Sequence, residues 1–76
     1  MKVTVYSTPT CPFCKKVKGY LSENKVEFTD IDVSADQEQA QKMIAKSGQM
    51  GVPVTDIDGE LVIGFDEKAL KEKLGL

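Results

Sequence analysis

The chain has 76 residues, two cysteines, no histidine and a formal net charge of −2. This length predicts one domain over residues 1–76. The lack of histidine excludes Cys–His and Ser–His catalytic pairs, and two cysteines cannot form a four-thiolate zinc site in one chain, so we expect no metal site. The acidic charge balance does not favour binding to nucleic acid or to an anionic membrane.

Cysteine usage and apolar patterning predict a cellular location. No apolar run approaches the ~20 residues of a membrane span, and the run at residues 1–6 is too short for a signal peptide. A secreted domain of this size usually needs several disulfides, and this chain allows one at most. A Cys11–Cys14 bridge would close a very small loop and stabilise the fold little. We therefore expect a cytoplasmic location. We also expect a monomer.

Strand and helix patterns alternate along the chain. In chain order, we predict a strand at 3–6, a helix from 11 to 24, a strand at 26–33, a helix from 34 to 47, strands at 52–57 and 60–63, and a helix from 66 to 74. Asp58-Gly59 is a strong hairpin signal between the last two strands. The predicted order is β-α-β-α-β-β-α.

Each predicted helix begins at a recognisable signal. Pro12 suits a first helical turn. Ser34, with Gln37 three residues later, forms a capping-box pattern that opens the second helix. Asp66 can cap the last helix.

The element order limits the fold to an α/β class. A β-α-β start needs two parallel strands joined by a right-handed crossover, and the later hairpin adds an antiparallel pair. We expect one four-stranded mixed sheet flanked by helices. In the second strand the apolar face changes parity between Phe28 and Ile31, which leaves a β-bulge and burial on both faces as alternatives.

Cys11 and Cys14 form a C-x-x-C motif between the first strand and the first helix, a context that indicates redox chemistry. Free backbone N–H groups and the positive helix end favour a thiolate at Cys11, with a pKa in the range of roughly 3.5–7.5. Lys15 and Lys16 can add to this field, although exposed charges are screened. Cys14 is placed to attack a mixed disulfide formed on Cys11. The alternative is a pair of small buried apolar residues.

Three segments carry a resemblance to a known family: Thr10-Cys11-Pro12-Phe13-Cys14, Gly51-Val52-Pro53 and Gly64-Phe65-Asp66. They resemble the motifs of dithiol glutaredoxins, above all the short bacterial and archaeal glutaredoxin-like proteins. The resemblance covers essentially the whole chain and includes the element order. It implies a thioredoxin fold with strand order 2-1-3-4. It also implies thiol–disulfide exchange with Cys11 as nucleophile and Cys14 as resolving thiol.

The resemblance further implies a surface that binds a substrate or glutathione. Its residues would be Thr10, Pro12, Phe13, Val52, Pro53, Gly64, Phe65 and Asp66. Pro53 matches the family's cis-proline, next to which the Val52 backbone pairs with an extended peptide or glutathione. A trans proline that starts an edge strand is the alternative.

Two parts of this surface have other interpretations. Helical spacing assigns Phe13 to the apolar stripe of its helix, whereas the family exposes this position. The helix start at residues 64–66 corresponds to a carboxylate site in the family. An ordinary cap by Asp66 would explain it equally.

The sequence departs from glutathione-using members at two positions. Many of them carry a lysine where this chain has Thr8, and two adjacent glycines where it has only Gly64. Both departures weaken the case for tight glutathione binding. The expected partners are disulfide-containing proteins, with either glutathione or a thioredoxin-reductase-type flavoprotein as electron source, and we expect no bound cofactor.

Two other functions compete with disulfide reduction. Some glutaredoxin relatives carry an iron–sulfur cluster between two chains, using the first cysteine of each chain and glutathione. Those relatives usually lack a residue like Pro12 and the second cysteine. The other alternative is a non-catalytic binding domain, which a Cys11 pKa near the ordinary ~8.5 would indicate.

Overall fold

A four-stranded mixed sheet runs through the centre of the computed structural model, which describes residues 2–49 and 51–76. The elements are β1 (Val3–Ser7), α1 (Pro12–Glu23), β2 (Thr29–Asp32), α2 (Gln37–Ser47), β3 (Val54–Ile57), β4 (Glu60–Ile63) and α3 (Glu67–Leu74). β1 pairs in parallel with β2 and antiparallel with β3, and β3 pairs antiparallel with β4. The predicted element order and the strand order 2-1-3-4 are confirmed.

Alternation along β1 sends apolar side chains to both faces of the sheet. One face packs against α1 and α3 through buried apolar residues: Val3, Val5, Val17, Leu21, Ile57, Val62 and Leu70. The other face packs against α2 through a smaller buried cluster: Tyr6, Met43 and Val54. The sheet is therefore the middle of three layers.

The parity change in the second strand reflects burial on both faces. Phe28 packs with the cluster under α1 and α3, whereas Ile31 packs with the cluster under α2. The register between β1 and β2 is continuous from Thr29 to Asp32, so there is no bulge in this pairing.

β2 and β3 are both shorter than predicted. The amide of Val26 bonds to the Leu21 carbonyl at 2.9 Å, so this part of the run completes the end of α1 instead of pairing with β1. The strand predicted from residue 52 begins only at Val54. Pro53 directly before it has no N–H with which to join the ladder.

The second helix begins later than the predicted capping box, and its cap is Asp36. The Oδ1 atom of Asp36 accepts a hydrogen bond from the Gln39 amide at 3.2 Å. The prediction that Ser34 caps this helix is wrong, because its amide and hydroxyl both bond to the Asp32 carboxylate. The hydroxyl bond holds the pKa of the Asp32 carboxyl below its usual value.

The sheet brings three loops to a single edge. Tyr6 near the end of β1 pairs with Val54 at the start of β3, and Val54 pairs with Ile63 at the end of β4. The segments that follow β1, precede β3 and follow β4 therefore meet there. Among residues 2–49 and 51–76, no helix has the length and apolar character required to cross a bilayer.

Candidate active site

Cys11 is the N-cap residue of α1. Its backbone is extended (φ −90°, ψ 115°), Pro12 takes the first helical position, and the Cys11 Sγ accepts a hydrogen bond from the Cys14 amide at 3.2 Å. A sulfur in this position satisfies one of the amides that a helix start leaves without an intrahelical partner. The cap interaction that serine or aspartate usually provides is here made by a thiol.

The two cysteines differ in access to solvent. Both are free, and Cys11 is partly exposed whereas Cys14 is fully buried. Cys14 shares the buried face of α1 with Val17 and Leu21. An incoming disulfide can therefore reach Cys11 but not Cys14.

The environment of Cys11 favours its thiolate. Partial burial acts to raise its pKa, but hydrogen bonds from the Cys14 thiol and from the amides of Cys14 and Phe13 act in the opposite direction, as does the charge of Lys18. The lowering contributions prevail, so the pKa of Cys11 lies below its ordinary value. This is the direction required of a nucleophilic thiol near neutral pH.

The environment of Cys14 favours its protonated thiol. Burial, the hydrogen bond to the Cys11 sulfur and the negative charge of Cys11 together raise the pKa of Cys14 to about 11. A backbone hydrogen bond at Thr8 and the charge of Lys18 offset part of this increase. Of the two sulfurs, which lie one helical turn apart, Cys11 is therefore the one that loses its proton more easily.

The segment before β3 lies against Cys11. The Cys11 thiol donates a long hydrogen bond of 3.8 Å to the Val52 carbonyl, and the Val52–Pro53 peptide bond is cis. Pro53 is buried, and its carbonyl accepts a hydrogen bond from the Gly64 amide at 2.9 Å. Hydrogen bonds thus connect Cys11 to Val52, and Pro53 to Gly64.

An exposed rim borders the Cys11 sulfur. Thr10 and Pro12 are exposed, and Phe13 is 54% exposed with the Lys16 ammonium 5.2 Å from its ring centroid. The spacing argument that placed Phe13 in the apolar stripe is wrong, because the stripe begins at Cys14. Phe13 instead offers an apolar ring to solvent beside the thiol.

The residues that follow β4 are engaged mainly in packing and in capping α3. The Phe65 ring packs against the core and meets Tyr20 edge to face, at 6.2 Å between centroids. The Asp66 carboxylate caps α3 by accepting a hydrogen bond from the Ala69 amide at 3.1 Å. Capping of α3 therefore explains the position of Asp66 without a bound ligand.

Lys18 is a charged residue of the site that the sequence analysis did not identify. Its Nζ lies 3.1 Å from Asp30 Oδ2, and its charge lowers the pKa of both cysteines. Lys18 is thus the lysine whose charge acts on the pKa of Cys11, whereas the sequence had pointed to Lys15 and Lys16 as contributors. The available signal was spacing, since Lys18 follows Cys14 by four residues and so shares its helix face.

The fold and the cysteine pair define a class of protein, the thioredoxin-fold dithiol proteins. The family model described as Glutaredoxin matches residues 3–62. The chain is 46% identical over 72 residues to a glutaredoxin-like 8.6 kDa protein of the rubredoxin operon of Clostridium pasteurianum, with 95% of each chain covered. It is 32% identical over 65 residues to glutaredoxin 3 of Escherichia coli K12, covering 86% of this chain and 78% of the other.

A solved structure gives the same result. The crystal structure of a glutaredoxin from Archaeoglobus fulgidus superimposes with a TM-score of 0.90 at 29% identity, covering 96% of this chain and 85% of the other. The chain belongs to the glutaredoxin family. Membership supports a general role as a redox thiol oxidoreductase.

Proposed function

We propose that this domain reduces disulfides of proteins or small molecules by cycling between a Cys11–Cys14 dithiol and a disulfide. The observation that carries the proposal is the asymmetry of the pair. Cys11 is accessible and its pKa is lowered, whereas Cys14 is buried and its pKa is raised to about 11. Cys11 is therefore suited to attack a substrate disulfide, and Cys14 is suited to remain protonated until the later step.

The reaction begins at the accessible sulfur. The Cys11 thiolate attacks one sulfur of the substrate disulfide, forms a mixed disulfide with it and releases the other substrate sulfur as a thiolate. Cys14 then loses its proton and attacks the Cys11 sulfur. The second substrate thiolate leaves, a Cys11–Cys14 disulfide forms, and two electrons have passed to the substrate.

The surface around Cys11 suggests how a substrate is held. The Val52 carbonyl lies 3.8 Å from the Cys11 sulfur, which supports pairing of this backbone with an extended segment next to the reacting disulfide, as a short form of strand addition. The exposed Phe13 ring offers an apolar contact on the other side of the thiol. We propose that Thr10, Pro12 and Gly64 complete this surface.

The oxidised pair needs an external reductant, because the cycle carries its electrons on two sulfurs and uses no resident cofactor. We propose glutathione or a thioredoxin-reductase-type flavoprotein for this step. One chain supplies both sulfurs, so we propose a monomer as the working unit. A reducing compartment such as the cytoplasm would keep the dithiol available.

The test compares Cys11→Ser with Cys14→Ser in turnover of a small disulfide. We expect Cys11→Ser to abolish turnover, and Cys14→Ser to accumulate a mixed disulfide that mass spectrometry detects. Normal turnover by Cys11→Ser would refute the proposal. Running the wild-type protein with glutathione and its reductase, and separately with the flavoprotein and NADPH, identifies the electron source as the faster arm.

A further inference from the structure

Three polar side chains connect the end of β1 to the middle of α1. The Ser7 hydroxyl, buried at 2% exposure, donates a hydrogen bond to Asp30 Oδ1 at 2.6 Å. The other oxygen of this carboxylate, Oδ2, lies 3.1 Å from Lys18 Nζ. Both oxygens of Asp30 are thus engaged, and the Lys18 ammonium is held against β2.

The position of Lys18 on α1 directs its charge toward the cysteines. It follows Cys14 by four residues and Cys11 by seven, so all three lie along one side of the helix. Long side chains on a helix lean toward its N-terminus, which is where the two thiols lie. The Lys18 side chain is only 27% exposed, so solvent and salt screen its charge less than that of a free surface lysine.

We propose that Lys18, held in place by Asp30 and Ser7, is a positioning residue of thiol exchange whose ammonium stabilises negative charge on the cysteine pair. This inference rests on the proposed dithiol cycle and adds the group that stabilises its charged states. During that cycle the negative charge resides first on Cys11 and later on Cys14. A cation that acts on both sulfurs assists both steps.

The charges around Lys18 agree with this role. Its ammonium faces carboxylates of β2 on one side, Asp30 by direct contact and Asp32 through its field. Its charge also lowers the pKa of both thiols.

The first test measures the pH dependence of iodoacetamide alkylation at Cys11 in the reduced full-length protein. We expect Lys18→Met to lower the alkylation rate roughly two- to fivefold at a pH below the Cys11 pKa, by shifting the curve to higher pH. Lys18→Arg should restore the wild-type curve because it keeps the charge. Lys15→Met, which removes an equal charge from an exposed position on the same helix, should leave the curve unchanged.

A second test isolates the part played by Asp30. If Asp30 holds the ammonium in place, Lys18→Met will shift the alkylation curve less in an Asp30→Asn background than in the wild type. Equal shifts in both backgrounds would show that the contact does not position Lys18. A double-mutant comparison is needed because Asp30→Asn also removes a negative charge from the site.

The outcomes separate this inference from the proposed function. A Lys18→Met curve that superimposes on the wild type, or a Lys15→Met shift of equal size, overturns the role of Lys18 while disulfide turnover by the wild type continues. Failure of the wild-type protein to reduce disulfides would instead refute the proposed function. The alkylation curves are informative in either case, since they measure the thiol directly.

Discussion

The Cys11 thiol lies 3.8 Å from the carbonyl oxygen of Val52, although 41 residues separate the two in sequence. The contact follows from topology, because β3 runs antiparallel to β1 and so starts at the edge where β1 ends. In the proposed cycle, a substrate sulfur that bonds to Cys11 would therefore lie next to the Val52 backbone. Attack on the substrate and its alignment would then take place at the same position.

The Cys14 thiol is a hydrogen-bond donor to the Cys11 sulfur, and its removal should raise the pKa of Cys11. We expect Cys14→Ala to shift the ultraviolet thiolate titration of Cys11 to higher pH. Alkylation at a fixed pH below the pKa should then fall at least roughly threefold. Cys14→Ser is the matched control, because its hydroxyl can still donate, and its shift should be smaller. Equal shifts for the two variants would contradict this role of the donor.

Cys11 should in turn control the titration of Cys14. Two of the causes that raise the pKa of Cys14 to about 11 are the hydrogen bond to Cys11 and its negative charge. In Cys11→Ala both causes are absent while burial remains, so the thiol of Cys14 should titrate below its wild-type pKa. Ultraviolet titration of this single-cysteine variant measures the change, and a pKa that stays near the wild-type value would mean that burial alone sets it.

The cap of α2 should contribute measurably to stability. Asp36→Ala removes the acceptor for the Gln39 amide and should lower the free energy of unfolding by about 0.5–2 kcal/mol in urea denaturation. Ser34→Ala tests the capping box that the sequence suggested. Because Ser34 bonds to Asp32 and not to the helix, its loss should cost less than that of Asp36. The reverse order would restore Ser34 as the cap.

The hydroxyl of Thr55 is a buried polar group without a hydrogen-bond partner in the described part of the chain. It lies on the sheet between Val5 and Val62, which are its partners in the β1 and β4 pairings. Thr55→Val keeps the shape and removes the unsatisfied hydroxyl, so we expect the free energy of unfolding to rise by about 1 kcal/mol. Thr29→Val, at an exposed strand position, should change it by less than about 0.5 kcal/mol. Destabilisation by Thr55→Val would indicate that a water bonds to the hydroxyl.

Local patterns predicted most of the fold because each agreed with its surroundings. The β-branched runs, the Asp58-Gly59 turn and the proline at the start of α1 are short-range signals, and tertiary contacts did not override them. The predicted cap of α2 was wrong because the capping-box pattern pointed to Ser34, whereas Asp36, two residues later, makes the cap. The choice depended on where β2 ended, which put the Asp32 carboxylate within reach of Ser34.

The candidate site was predictable where it lies on one helix and less so where it depends on contacts between elements. Helix-start geometry places Cys11, and the C-x-x-C spacing places Cys14 one turn further along the helix. The ion pair of Lys18 could not be found in this way, since its partner Asp30 lies on a neighbouring strand. The exposure of Phe13 likewise depends on which turn of α1 first meets the sheet.

The hydrogen bond between the two cysteines determines which of them reacts first in the proposed cycle. While Cys11 is a free thiolate, it keeps the Cys14 proton in place, and a protonated Cys14 is a poor nucleophile. Once Cys11 is joined to a substrate sulfur, its charge is gone and the proton on Cys14 is held less tightly. In the proposed cycle Cys14 thus stays protonated until Cys11 has bonded to a substrate sulfur, and formation of that mixed disulfide would itself activate the second thiol.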